Sequence, residues 1–542
     1  MNNEYIRWMS HKLKDNDLTK ELKIMKSNNN LIEDAFYTQL EFGTGGLRGI
    51  IGAGINRMNI YTVRKATFGY LATLKNNSKV AIAYDSRIKS LTFAKEAATV
   101  LANCGMKVYL FNKVSPTPLL SYAVRHLKCD GGIVITASHN PSNYNGYKVY
   151  DSKGCQINPD KAEQIYHNMQ KTDIFYEVND ELSFEECLER KLITYIDDDI
   201  TISYVNTVCS EAFYSGQREL KVVYTPLNGS GMECVSLALE KRGFKKINFV
   251  KEQSYPDGNF TTCPYPNPEV KEALELGIRD LKETDSDILI ATDPDCDRAG
   301  LTVKDGDNIR ILNGNETGML LLDYICNMRT QKGLMPKDPI VIKTIVTTEL
   351  AKNICKDYGI EIIEVLTGFK YIGEQINMLE EKGEKDSFIF GFEESCGYLS
   401  GTYVRDKDAV NASVLICDMA DYYKDKGISV LKRLGQLYKK YGYLLTYLGN
   451  YTYNGIDGQK KMEKIMNLLR SGKIYFKDYL KEDGNLKADV LKFDISDMGI
   501  AIVRPSGTEP KIKIYYSTQG YDMIEAENNM KKLVKYMERL IN

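Results

Sequence analysis

The chain has 542 residues, 43% of them apolar, and a formal net charge of −2 from 71 basic and 73 acidic side chains. That length asks for three or four domains with several buried cores, and interspersed charges of both signs leave no electrostatic footprint for nucleic acid or an anionic membrane surface. Twelve cysteines are scattered singly, with no C-x-x-C pair and no histidine spacing suited to zinc, so they are expected to be reduced core residues of a cytoplasmic protein.

The opening Met1-Asn2-Asn3-Glu4-Tyr5-Ile6-Arg7 lacks the apolar stretch of a signal peptide, and no 18-residue apolar run could span a bilayer. Residues 4–40 predict two amphipathic helices, after which Phe42-Gly43-Thr44-Gly45-Gly46-Leu47-Arg48-Gly49 breaks the pattern with glycines around one arginine. β-Branched runs then predict strands at 79–84, 107–111 and 132–135, with a helix over 91–103. The alternation restarts with strands at 220–225, 246–250 and 287–291 and a helix near 232–241. It restarts again with strands at 339–344, 360–365 and 387–390 and a helix near 349–358. These segments share one rhythm, strand, helix, strand, and a last strand ending in a polar loop, and read as three copies of one architecture. The last hundred residues differ, with a turn-rich stretch over 451–459, helices near 460–469 and 522–540, and strands at 499–503 and 511–516. The expected fold class is α/β: three similar mixed α/β domains (1–205, 206–310 and 311–436) and a smaller α+β domain (437–542), four domains packed around a central cleft.

Four polar loops carry the chemistry. In Thr136-Ala137-Ser138-His139-Asn140-Pro141 a small nucleophile stands where the apolar run Gly132-Ile133-Val134-Ile135 stops, and the proline and asparagines cannot continue a strand. Taken alone, such a serine is more often a helix cap. Three further loops follow apolar strands: Asp293-Pro294-Asp295-Cys296-Asp297-Arg298, Gly391-Phe392-Glu393-Glu394-Ser395-Cys396-Gly397, and Arg504-Pro505-Ser506-Gly507-Thr508-Glu509-Pro510-Lys511. The alternate aspartates put three carboxylates on one face of an extended strand end, where they repel one another unless a hard cation joins them. An EF-hand is excluded, since Arg298 and Lys304 stand where its glycine and glutamate belong. A serine hydroxyl needs a base or an attached phosphoryl group, and no Asp-His pair accompanies Ser138, which weighs against a hydrolase triad. Arg504, Ser506, Gly507 and Thr508 offer a fork of donors for a phosphate. The absence of a Walker sequence or dinucleotide spacing leaves ATP and NAD unsupported.

The ordered set resembles the α-D-phosphohexomutase family, whose active-serine, metal, sugar and phosphate loops follow in this order, one per domain. The match runs from the glycines near residue 43 to beyond residue 511. The resemblance implies Mg²⁺ on Asp293, Asp295, Asp297 and an oxygen of phosphorylated Ser138, with Arg298 beside that phosphate. It implies that His139 orients the phosphate, and that Lys148 and Arg48 face the transferring group. Lys148 is open between general acid/base, if burial and cationic neighbours lower its pKa, and a purely electrostatic role. Thr367 and Gly368, Glu393 and Ser395, and Lys407 would bind the sugar, and Arg504, Ser506, Gly507 and Thr508 the idle phosphate. The implied activity interconverts glucose 1-phosphate and glucose 6-phosphate, with glucose 1,6-bisphosphate as intermediate and activator. Mannose- or pentose-phosphate mutation, or a catalytically silent sugar-phosphate sensor, are the alternatives. The implied partners are small sugar phosphates, with the oligomeric state open between monomer and dimer.

Overall fold

Four β-sheets organise the chain. The structure, a computed structural model, describes residues 2–43, 45–453, 456–472, 475–482, 486–505 and 511–541. It divides into two compact units, Met1–Ile311 with Gly401–Cys417, and Leu312–Ser400 with Asp418–Asn542.

The first unit holds two sheets. One is built from β1 (Gly46–Ile50), β2 (Lys79–Tyr84), β3 (Lys107–Phe111), β4 (Gly131–Ile135), β5 (Tyr144–Asp151) and β6 (Ile193–Ile196), in the order β1-β5-β4-β2-β3-β6. The other is built from β7 (Val222–Thr225), β8 (Ile247–Phe249), β9 (Ile288–Thr292), β10 (Ala299–Asp305) and β11 (Asn308–Leu312), in the order β11-β10-β9-β7-β8. Strand β4 is wholly buried, as a near-continuous apolar run in the middle of a sheet covered on both faces requires.

The second unit holds the other two. β12 (Ile340–Thr344), β13 (Glu361–Val365), β14 (Phe388–Glu393) and β15 (Gly397–Leu399) run in the order β13-β12-β14-β15. β16 (Tyr443–Thr452), β17 (Phe476–Asp478), β18 (Leu491–Ile495), β19 (Gly499–Pro505) and β20 (Lys511–Gly520) form an antiparallel sheet, β16-β20-β19-β18-β17. The helix Met523–Ile541 covers this last sheet through Leu533 and Met537, giving the α+β character expected of the C-terminal segment.

The repeated rhythm is present as strand pairing. In each of the first three sheets the first strand of the repeat lies between the second and the third, both parallel to it: β2 between β3 and β4, β7 between β8 and β9, β12 between β13 and β14. The third strand then turns back into an antiparallel fourth, β4 into β5, β9 into β10 and β14 into β15. Each turn contains one non-glycine residue in the left-handed region, Ser138 (φ 51°), Cys296 (φ 51°) and Cys396 (φ 58°). The three polar loops are thus one hairpin corner met three times.

Two local expectations are corrected. Residues 4–40 form three helices, Asn3–Ser10, Asn16–Met25 and Asn29–Phe36, because Asp15 and Asn28 cap new starts with their side chains. The glycine run around Arg48 is not all loop: Gly46–Ile50 pairs with β5, and a Cβ on Gly46 would stand 2.0 Å from the Tyr147 carbonyl oxygen. Among the described residues no helix is long and apolar enough to cross a membrane.

Candidate active site

Ser138 stands three residues beyond β4, and the backbone that presents it is held from below. The Thr136 hydroxyl donates to Asp85 (2.6 Å) and accepts from the Ser138 amide (2.8 Å). Arg87, buried against the Phe260 ring, donates to the carbonyls of Ser138 (2.5 Å), Asn140, Pro141 (2.7 Å) and Tyr144 (3.1 Å). One guanidinium therefore satisfies four carbonyls of the turn, and holding a non-glycine residue at positive φ demands such support. Tyr84-Asp85-Ser86-Arg87 follows β2, and sequence reasoning missed it. An Asp-x-Arg directly after a buried strand next to β4 was the available signal.

The Ser138 hydroxyl donates to Asp293 Oδ2 at 2.7 Å and lies 3.2 Å from His139 Nδ1. Burial, then the charges of Arg298 and Arg48, push His139 well below the ordinary histidine range, so its imidazole is neutral. Arg48, on β1, donates to the Asn140 side chain at 3.1 Å.

Asp293, Asp295 and Asp297 are fully buried, with carboxylate oxygens within 4.8 Å of one another. They converge through a tight turn rather than along an extended strand end. Asp293 Oδ1 accepts from the amides of Asp297 (3.1 Å) and Arg298 (3.0 Å), curling the loop around itself. The turn β7 leads into, Pro226-Leu227-Asn228-Gly229-Ser230-Gly231, props it from beneath: the Ser230 amide and hydroxyl both donate to the Pro294 carbonyl, at 2.8 and 2.9 Å. Gly229 must be glycine, because a Cβ there would lie 2.4 Å from Pro294 Cα.

Two lysines reach the aspartates. Lys148, on β5, donates to Asp295 Oδ2 (2.8 Å) and Asp297 Oδ2 (3.5 Å), and Lys407 lies 2.9 Å from Asp297 Oδ2. Thr117, at the start of the helix Thr117–His126, adds its hydroxyl to Asp295 Oδ2 (3.0 Å) and its amide to the Asp295 carbonyl (2.8 Å). Lys407 thus stands beside the aspartate cluster. Burial opposes the charge of Lys148, but Asp295 and Asp297 outweigh it and hold the ammonium above its ordinary pKa. Burial, with Asp295 and Asp297 nearby, raises Asp293 well above the carboxylate range, whereas Lys148 draws Asp295 down against its own desolvation.

Among the described residues the buried Asp295 Oδ1 and Asp297 Oδ1 have no hydrogen-bond partner. Unsatisfied buried carboxylate oxygens are costly, and an all-oxygen set of three at this spacing fits a hard divalent cation.

In the second unit Glu393 closes β14 and is buried, with Ser395 partly exposed in the turn to β15. Thr367 and Gly368 precede the helix Phe369–Glu381; Gly368 has φ 121°, and the buried Thr367 hydroxyl oxygen has no hydrogen-bond partner among the described residues. Arg504 lies on β19 opposite Lys513. Burial and then Glu394 raise the Tyr515 hydroxyl, with Arg504 opposing and Glu393 adding to the shift, so the sugar loop and Arg504 act on one tyrosine. Ser506, Gly507 and Thr508 lie outside the described residues.

A repeated mixed α/β fold that presents a buried serine hydroxyl to three convergent aspartates defines a phosphotransferase class of site. The family comparison agrees. The models for phosphoglucomutase/phosphomannomutase alpha/beta/alpha domains I, II and III match residues 39–174, 202–306 and 313–441. The chain is 36% identical over 540 residues to a phosphoglucomutase of Staphylococcus saprophyticus, covering 92% of this chain and 96% of that one. It is 34% identical over 557 residues to one from Staphylococcus aureus strain MRSA252, covering 95% and 98%. Among solved structures, a phosphoglucomutase/phosphomannomutase family protein from Burkholderia thailandensis matches with TM-score 0.69 at 20% identity, covering 93% of this chain and 98% of that one. The exocytosis-sensitive phosphoprotein pp63/parafusin of Paramecium, a phosphoglucomutase, matches with TM-score 0.67 at 17% identity, covering 93% and 95%. The chain belongs to the phosphoglucomutase/phosphomannomutase family and is a phosphohexomutase.

Proposed function

We propose that this enzyme interconverts glucose 1-phosphate and glucose 6-phosphate through a phosphoryl group carried on Ser138. The observation that carries this reading is the 2.7 Å hydrogen bond from Ser138 to Asp293, within a buried aspartate cluster whose Asp295 and Asp297 each keep an oxygen without a hydrogen bond among the described residues. In this reading Asp293, Asp295 and Asp297, with a phosphoserine oxygen, hold Mg²⁺. Bound there, the ion neutralises charge at the transferring phosphoryl group.

The remaining work falls to the chain's own residues. The sugar hydroxyl attacks phosphorus, a new P–O bond forms as the Ser138 Oγ–P bond breaks, and the hydroxyl proton ends on the released Ser138 Oγ. Glucose 1,6-bisphosphate results. It turns over, and its other phosphate returns to Ser138 Oγ. Arg48 and Arg298 supply fixed positive charge to the moving group, and the neutral His139 orients it. Lys148 faces the moving group either as a fixed charge or as the general acid/base, from its place beside Asp295 and Asp297. Lys407, beside Asp297, extends that positive field toward the sugar. Glu393 and Ser395 bind the 3- and 4-hydroxyls, Thr367 and Gly368 approach the sugar, and Arg504 with Ser506, Gly507 and Thr508 clamps the idle phosphate. We further assign one domain to each sheet, over 1–205, 206–310, 311–436 and 437–542.

Intact-mass measurement of freshly purified protein tests the core of this reading. A phosphorylated fraction mapping to Ser138 is expected, and Ser138→Ala should remove both that mass and nearly all mutase turnover. A fully active alanine variant would refute it.

A further inference from the structure

A cavity of about 350 Å³ opens beneath the N-terminal helices, lined by Glu4, Arg7, Gln39, Ile55, Lys65 and Asp173 among others. Lys65 lies in the middle of the helix Ile60–Leu71 and is only 5% exposed. Among the described residues its ammonium has one hydrogen-bond partner, the Gln39 side-chain oxygen at 2.7 Å, and no carboxylate within ion-pair distance. The two acids of the cavity are engaged elsewhere. Arg7 takes Asp173 at 2.5 Å and Glu4 at 3.7 Å, and all three side chains are partly exposed, which puts them at the rim. Asp173 and Glu4 act on the ammonium only from beyond ion-pair distance; a neutral amide leaves two of its three protons unanswered, and a buried cation without a direct counter-charge is costly.

We propose that this cavity is an accessory binding site for a compact organic anion, a carboxylate or a phosphate monoester with a short apolar body, whose charged group pairs with Lys65. Ile55, Met169 and Ile174 provide the apolar wall for that body. Burial lowers the Lys65 pKa, and a bound anion would reverse that cost. The site is independent of the catalytic reading, because no residue lining it belongs to the serine, metal or sugar loops.

The molecule carries its own reporter. Trp8 is the single tryptophan, fully buried next to Arg7, and packs on Tyr61 and Phe175 with centroids 5.4 and 5.2 Å away. Trp8 emission of the full-length protein is titrated with inorganic phosphate and, separately, with succinate, at constant ionic strength. A saturable shift with one or both probes is expected, and which of them acts distinguishes phosphate from carboxylate chemistry. Lys65→Met should weaken the apparent affinity about tenfold or more, the scale of a lost charge-assisted hydrogen bond, and Lys65→Arg should retain binding. Should the methionine variant fail to fold by circular dichroism, Lys65→Gln replaces it in the same comparison. No saturable shift with either probe, or an unchanged curve without the lysine charge, overturns the proposal. An unchanged curve would also place any phosphate binding at the catalytic loops instead.

Discussion

Arg87→Lys is the sharpest perturbation of the serine loop, because it keeps the positive charge and removes the fork. The guanidinium donates to the carbonyls of Ser138, Asn140, Pro141 and Tyr144, whereas an ammonium reaches from a single point and can serve two of them at best. Two buried carbonyls left unpaired at roughly 1–3 kcal/mol each cost about 2–6 kcal/mol. Part of that loss falls on folding and part on the loop, which relaxes Ser138 from its φ of 51° toward commoner backbone. A hydroxyl displaced by about an ångström loses on the order of 10² in rate. Arg87 is assigned no contact with substrate, so the loss should fall on kcat with KM nearly unchanged. Initial rates with glucose 1-phosphate and a trace of glucose 1,6-bisphosphate, coupled to glucose 6-phosphate dehydrogenase, measure both constants, and urea unfolding measures the stability. A folded Arg87→Lys enzyme with kcat within twofold of the parent would refute the reasoning.

Three further outcomes are expected. Chelation should abolish turnover and Mg²⁺ restore it, and Asp295→Asn should cost roughly two orders of magnitude in rate; unchanged rates in excess chelator would remove the metal assignment. Galactose 1-phosphate, inverted at the 4-hydroxyl, should be rejected by a factor on the order of 10⁴ while mannose 1-phosphate stays a measurable substrate. Glu393→Gln should slow glucose and mannose phosphates alike, and equal turnover of galactose and mannose phosphates would contradict the sugar-loop reading. Burial would raise the Glu349 carboxyl, but Lys343, Lys352 and Lys492 hold it down at about 2. Its folded pKa lies below the unfolded value of about 4.3, so its contribution is present above that pH and is lost as pH falls toward 2. Glu349→Gln should therefore flatten the acid limb of stability against pH by on the order of 2 kcal/mol, and an identical limb in urea unfolding would exclude the effect.

Much of this was legible in the sequence because the parallel strands are short β-branched runs. The expected ranges 79–84 and 107–111 coincide with β2 and β3, and the polar loops after β4, β9 and β14 could be placed from where those runs end. The antiparallel returns were harder. Strands β1, β5 and β10 carry glycines, lysines or acids and show no clean alternation, so Gly46–Ile50 read as loop and only Lys148 stood out in β5. Lys407 read as part of an exposed charge run, yet it is buried against Asp297, a partner 110 positions earlier that no local pattern announces. Thr117 was invisible for the same reason: it acts on a carboxylate contributed by a distant segment.

The thrice-repeated hairpin corner makes backbone and chemistry separable. Where the third strand of each repeat gives way to its turn, the chain installs a hydroxyl, a set of carboxylates and a glutamate, while the parallel strands beneath keep one pairing order. What each corner says is written in a few side chains; how it is held belongs to the sheet. Such a corner behaves as a socket: loops of different length, 136–143, 293–298 and 394–396, each with one left-handed step, carry different chemistry on the same strand arrangement.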